Sequence, residues 1–197
     1  KMSQEINRLL VETRETTREK TRMEEELKTA SLIQERLMPK QATADVGEIE
    51  ISGLVITSSE CGGDWWYYFR RGDDIFVAIA DATGHGTPAA LITAAARSCF
   101  ARLETENLSL IEMLKAWDIS VSGCSQRQVF MTGLLFRINT VTGQGAFVNA
   151  AHESPFVLRA NEDGTFALDH LPTETTARIG DDIRPDLREE PFSLAPN

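Results

Sequence analysis

The chain has 197 residues, of which 42% are hydrophobic and 25% charged, with a formal net charge of −10. This composition suits a compact folded unit with an appendage and excludes a disordered or collagen-like chain. No apolar run is long enough to span a bilayer, and the acidic excess repels polyanions, so no nucleic acid is expected as a partner. The charge is uneven: residues 1–40 hold 9 Lys/Arg against 8 Asp/Glu, which leaves 11 against 22 for the rest. Cys61, Cys99 and Cys124 are widely spaced and odd in number, which fits a reducing cytoplasm better than a disulfide framework.

Residues 1–40 read as one long helix. Positions 2, 6, 9, 13, 16, 20, 23, 27, 30, 34 and 37 follow the alternating steps of a coiled-coil seam. Met2, Ile6, Leu9, Met23, Leu27, Ala30 and Leu37 supply its apolar members. Thr13, Thr16 and Lys20 soften its middle. A helix of this kind is not stable alone and needs a partner, most simply its own copy in a homodimer. A dimerisation stalk and a signal-transmitting helix with two competing registers both fit. Pro39 ends the helix, and a loop is expected through about Gly47.

The rest mixes short strands with two helices. Residues 49–58 read as a strand, and 65–70 with 75–80 as a hairpin around Arg71-Gly72-Asp73-Asp74. Thr87 is the expected N-cap of a helix reaching about Leu103, with Pro88 at its first position. A second helix covers about 108–123. Strands 131–138 and 144–150 flank the turn Thr140–Gly143. A last hairpin, 155–160 with 165–169, turns at Asn161–Gly164. From Gly180 the chain reads as loop or extended edge. This order is not the alternation of a doubly wound sheet, so the fold class is α+β, with antiparallel sheets and helices outside them.

Two stretches place glycines around an aspartate. One is Cys61-Gly62-Gly63-Asp64; the other is Asp81-Ala82-Thr83-Gly84-His85-Gly86, directly after the apolar strand 75–80. Glycine lets a metal or phosphate approach the backbone, and two carboxylates brought together need a cation between them. Oxygen donors select Mg²⁺ or Mn²⁺ over zinc. The plainer reading is that Asp64 and Asp81 only cap turns. His85 either donates a proton or fills its turn. His152 reads as a hydrogen-bonded structural histidine, and Trp65 to Phe69 read as core.

Five motifs stand in one order: Glu26-Leu27, Ala30, Ile33-Gln34 and Leu37-Met38-Pro39; then Gly62-Gly63-Asp64; then Asp81 to Gly86 with Ala89-Ala90-Leu91; then Phe130-Met131-Thr132; then Asn149-Ala150-Ala151-His152. Over residues 24–180 the chain resembles the bacterial PPM-type serine/threonine phosphatases of the sporulation (SpoIIE) and stress-response sigma-regulator kind. The resemblance implies a sandwich of two antiparallel sheets flanked by helices over 41–197. It implies a two-metal Mn²⁺ or Mg²⁺ centre held by Asp64, Asp81 and the Ala82 carbonyl. Asp64, Asp81 and His85 become the catalytic candidates. The reaction would be hydrolysis of phosphoserine or phosphothreonine on an anti-sigma antagonist type of regulatory protein.

The first residues are similar to the end of a HAMP linker, which implies an upstream sensor and a place on the cytoplasmic side of a membrane-anchored receptor. Two substitutions depart from the pattern. Tyr67 stands where the family often has a further Asp, and Ala151 replaces the Gly of Asn-Ala-Gly-His. The family's later Thr-Asp-Gly motif and a following Asp, both metal ligands, do not occur before Asn197. The C-terminal part of the fold is therefore expected to be missing, which keeps open an inactive, phosphatase-like binding module. A diguanylate cyclase, which also carries a Gly-Gly-Asp hairpin, does not fit the motif order.

Overall fold

The computed structural model describes residues 2–40, 43–47, 49–57, 61–161, 163–173, 177–181 and 187–194. Helix α1 runs over Met2–Glu35 without a break. Exposed pairs Lys20–Glu24 and Arg22–Glu26 lie along it at i,i+4. Single-turn bonds from Arg36, Leu37 and Met38 close it before Pro39, which disfavours helical geometry in the residue ahead of it.

The expected loop before Gly47 is in fact half strand. Thr43–Val46 (β1) pairs antiparallel with Ile49–Ser52 (β2), and Gly47 turns between them at φ 68. Four residues of weak alternation do not announce a strand; the partner makes it. The strand expected over 49–58 stops at Ser52, and residue 58 lies outside the described residues. Beyond it Gly53 crosses so close to Trp66 that a Cβ there would lie 2.4 Å from the indole.

Asp64–Arg71 (β3) and Asp74–Ala82 (β4) form the expected hairpin. Helix α2 (Thr87–Leu103) follows. Its N-cap is Gly86 rather than Thr87, so Pro88 comes one residue later than expected. The tight turn needs positive φ at Gly84 and Gly86, at 93° and 74°, and the second of these becomes the cap. Helix α3 (Leu110–Ser125) starts on a capping box, with the Ser109 side chain accepting from the Glu112 N–H and Glu112 accepting from the Ser109 N–H.

Met131–Asn139 (β5) and Gln144–Ala150 (β6) extend the sheet, and Phe156–Ala160 (β7) pairs only with Phe166–His170 (β8). Glu190–Ser193 (β9) is the extended edge. The order is β3-β4-β5-β6-β9, antiparallel throughout.

Helices α2 and α3 cover one face of this sheet. Trp65, Phe100 and Trp117 meet there edge to face at 5.0–5.8 Å. The opposite face looks toward the hairpins β1–β2 and β7–β8, which leave an apolar groove of about 530 Å³ between them. Among the described residues the second layer of the sandwich consists of these two hairpins.

Candidate metal centre

Side chains alternate along a strand, so register decides which ones meet. Asp64 of β3 lies directly opposite Asp81 of β4. The two stretches that the sequence separates by seventeen positions thus share one end of one hairpin. Directly opposed residues hold their Cβ atoms roughly 4.5–5.5 Å apart. Gly63 completes the approach: its carbonyl accepts the Ala82 N–H at 3.0 Å. A Cβ on Gly63 would lie 2.3 Å from the Ala82 carbonyl oxygen and 2.7 Å from Asp81 Oδ1. Only glycine fits this cradle.

Asp81 is exposed at the open face, but partial desolvation of its carboxyl, and then the charge of Asp64, push it above its ordinary range, while His152 pulls the other way. The donors in reach are two carboxylates and a backbone carbonyl, all hard oxygens, which is a set that Mg²⁺ or Mn²⁺ accepts and zinc does not favour. Among the described residues no group of three His, Cys, Asp or Glu converges to hold a metal. Mg²⁺ characteristically keeps several waters on one or two carboxylates, so the set suffices for a partly hydrated ion.

His85 is exposed on the loop between β4 and α2, and no hydrogen bond holds its ring among the described residues. The loop itself is well tied. The Thr83 N–H donates to the Phe130 carbonyl at 2.8 Å, the Phe130 N–H donates to Thr83 Oγ1 at 3.1 Å, and the Gly86 N–H donates to the Cys61 carbonyl at 3.1 Å.

Tyr67 sits three residues along β3 from Asp64 and faces the helices instead. Its hydroxyl donates to Glu104 at 2.9 Å and accepts from Arg97, whose guanidinium lies 3.9 Å from the ring centre. Burial and the bond to Glu104 push this phenol up to about 12. An acid at this position would point away from the Asp64–Asp81 pair.

Two residues that the sequence did not mark as site residues belong to the surroundings. Gln34 is the buried residue of α1. Its amide grips Gly62 from both sides, donating to the carbonyl at 2.6 Å and accepting the N–H at 3.2 Å, and it also bonds Thr93 of α2. The Trp65 indole N–H donates to the Leu37 carbonyl at 3.3 Å. Thus the end of α1 holds the loop that carries Asp64. His152 is the other: its Nδ1 lies 2.7 Å from Thr132 Oγ1, and Thr132 is directly opposite Asp81. Nearby Asp81 and Asp64 both raise its affinity for a proton, though burial outweighs them and lowers it.

Residues 71–197 match the family model described as stage II sporulation protein E. The chain belongs to the SpoIIE family. Among curated relatives it is 28% identical over 160 residues to phosphoserine phosphatase RsbP of Bacillus subtilis (strain 168), covering 79% of this chain and 38% of RsbP. It is 25% identical over 145 residues to phosphoserine phosphatase RsbU of the same organism, covering 72% of this chain and 42% of RsbU. The chain therefore spans less than half the length of the curated relatives it matches.

Among solved structures, the SiaA-PP2C domain of Pseudomonas aeruginosa superposes with a TM-score of 0.66 at 22% identity, over 89% of this chain and 69% of that one. The PP2C phosphatase domain of SpoIIE from Bacillus subtilis gives 0.52 at 18% identity, over 78% and 42%. RsbX in complex with magnesium gives 0.51 at 14% identity, over 68% and 61%. These structures establish a PP2C-type fold for this SpoIIE-family chain.

Proposed function

We propose that this SpoIIE-family chain is a metal-dependent protein phosphatase that hydrolyses phosphoserine or phosphothreonine on a regulatory protein of the anti-sigma antagonist type. The observation that carries the reading is the direct opposition of Asp64 and Asp81, closed by a glycine that nothing larger can replace. The similarity to the phosphoserine phosphatases RsbP and RsbU supports the substrate class.

In this reading Asp64, Asp81 and the Ala82 carbonyl hold Mn²⁺ or Mg²⁺. When bound, the metal lowers the pKa of a coordinated water and neutralises the phosphate oxygens. Exposed His85 is free to deliver a proton to the departing serine oxygen. Asp64→Asn and Asp81→Asn are each expected to lower Mn²⁺-dependent phosphate release by more than about 100-fold, given that even outer-shell partners of a metal cost 10–100-fold. Unchanged release in either variant would overturn the assignment. A second reading is an inactive phosphatase-like binding module: among the described residues no third acid joins Asp64 and Asp81.

Control is assigned to α1, which divides in two along its heptad seam. Met2, Ile6, Leu9 and Met23 are exposed. From Leu27 onward the seam residues Ala30, Gln34 and Leu37 turn onto the globular part instead. The outer half is free to pair with a second copy, and the inner half to pass its position to Gly62 and Asp64. An upstream sensor of HAMP type, on the cytoplasmic side of a membrane, is the input this arrangement suits. Sedimentation at tens of micromolar should find a dimer; a monomer would count against the pairing.

A further inference from the structure

The polar rim of the sheet continues beyond the two acids. Thr132 faces Asp81 across β4 and β5 as Asp64 does across β3 and β4. Opposed residues project to the same face of a sheet, so the three side chains form a row at strand spacings of about 4.8 Å. His152 closes the row through its 2.7 Å bond to Thr132.

The chain goes to some trouble to place this imidazole. β6 ends at Ala150, and Ala151 adopts φ 55, which L-residues avoid. The buried Asn149 then clamps the next residue, accepting the His152 N–H at 2.8 Å and donating to the His152 carbonyl at 3.0 Å. With Nδ1 engaged by the Thr132 hydroxyl, Nε2 is the ring nitrogen left for a ligand, and His152 is among the residues that line the apolar groove.

We propose that His152 is a phosphate-contacting residue, donating an Nε2–H hydrogen bond to a phosphoryl oxygen of the substrate, with Thr132 fixing the tautomer. This rests on the reading of Asp64 and Asp81 as the phosphate-handling centre. It assigns to the Asn149–His152 loop a role distinct from proton delivery at the leaving group. The loop adds a neutral donor where two carboxylates alone would repel the substrate.

The test uses inorganic phosphate with Mg²⁺, read by imidazole ¹⁵N spectra. The His152→Ala spectrum assigns the ring against His85 and His170. The wild type should show the Nε2–H tautomer at His152, and phosphate should shift that nitrogen. His152→Ala should bind phosphate about 10–100-fold more weakly, the loss of one hydrogen bond to a charged group. His152→Gln, whose amide can donate, should recover part of it. Thr132→Val should mix the tautomers while leaving the fold intact by thermal melting. An Nδ1–H tautomer would overturn the proposal. So would a silent His152 ring while the amides around Asp64 and Asp81 respond to phosphate. If those amides are silent as well, the phosphatase reading falls first and this contact falls with it.

Discussion

The two faces of the five-stranded sheet are built from alternate residues of the same strands, yet they differ in kind. On β4, Phe76, Ala78, Ala80 and Ala82 turn toward α2 and α3 and are buried. Ile79 and Asp81 turn the other way and are exposed. The helix-covered face is packed with small residues and interlocked aromatic rings, and its polar groups are few. The open face is largely apolar along its floor, and at one end of it Asp64, Asp81, Thr132 and His152 align. A slip of one residue between β3 and β4 would exchange the two sets and abolish both core and rim together. The packed core and the candidate site thus lie on opposite sides of one ladder.

That division can be attacked from either side. The largest effect is expected on the packed face. Trp117→Ala removes a fully buried ring from contact with Trp65 and Phe100 and should cost about 3–5 kcal/mol in denaturant unfolding. Below its melting point the variant should keep the metal affinity of the wild type; a parallel loss of metal would show that the two faces are not separable.

Gln34→Ala tests the bridge from α1 to the Gly62 loop beside the rim. It leaves the Gly62 N–H and carbonyl without their partner, an expected cost of about 1–3 kcal/mol. Metal affinity should fall by roughly 10-fold, because the Asp64 loop loses its outer support. A stability loss with intact metal binding would confine α1 to a structural role. The smallest change is Ala151→Gly. Relief of the left-handed strain at φ 55, less the flexibility glycine adds to the unfolded chain, should raise stability by about 0.5–1 kcal/mol. Destabilisation would mean that the alanine methyl packs usefully where it stands.

Much of this was legible in the sequence. The apolar run 75–80 and the Arg71–Asp74 turn fix the central hairpin, and the Gly-rich stretches around Asp64 and Asp81 mark the candidate site. The capping box of Ser109 and Glu112 starts α3 at Leu110, two residues later than the expected 108. What was hidden depends on long-range partners. Thr43–Val46 is a strand because Ile49–Ser52 lies beside it. Gln34 occupies a seam position but faces Gly62, twenty-eight residues away, and no heptad pattern distinguishes that from a coiled-coil partner. His152 reads as structural until the register of β4 and β5 sets Thr132 beside Asp81. The shift of the α2 cap from Thr87 to Gly86 follows from positive backbone angles, which glycine permits without announcing.

The central claim is that the opposed carboxylates hold a hard divalent cation. Calorimetric titration of Mn²⁺ into the chain and into Asp81→Asn tests it most directly. Saturable binding to the wild type, weakened by more than about 100-fold in the variant, is expected. Equal binding by both, or none by the wild type, would contradict it.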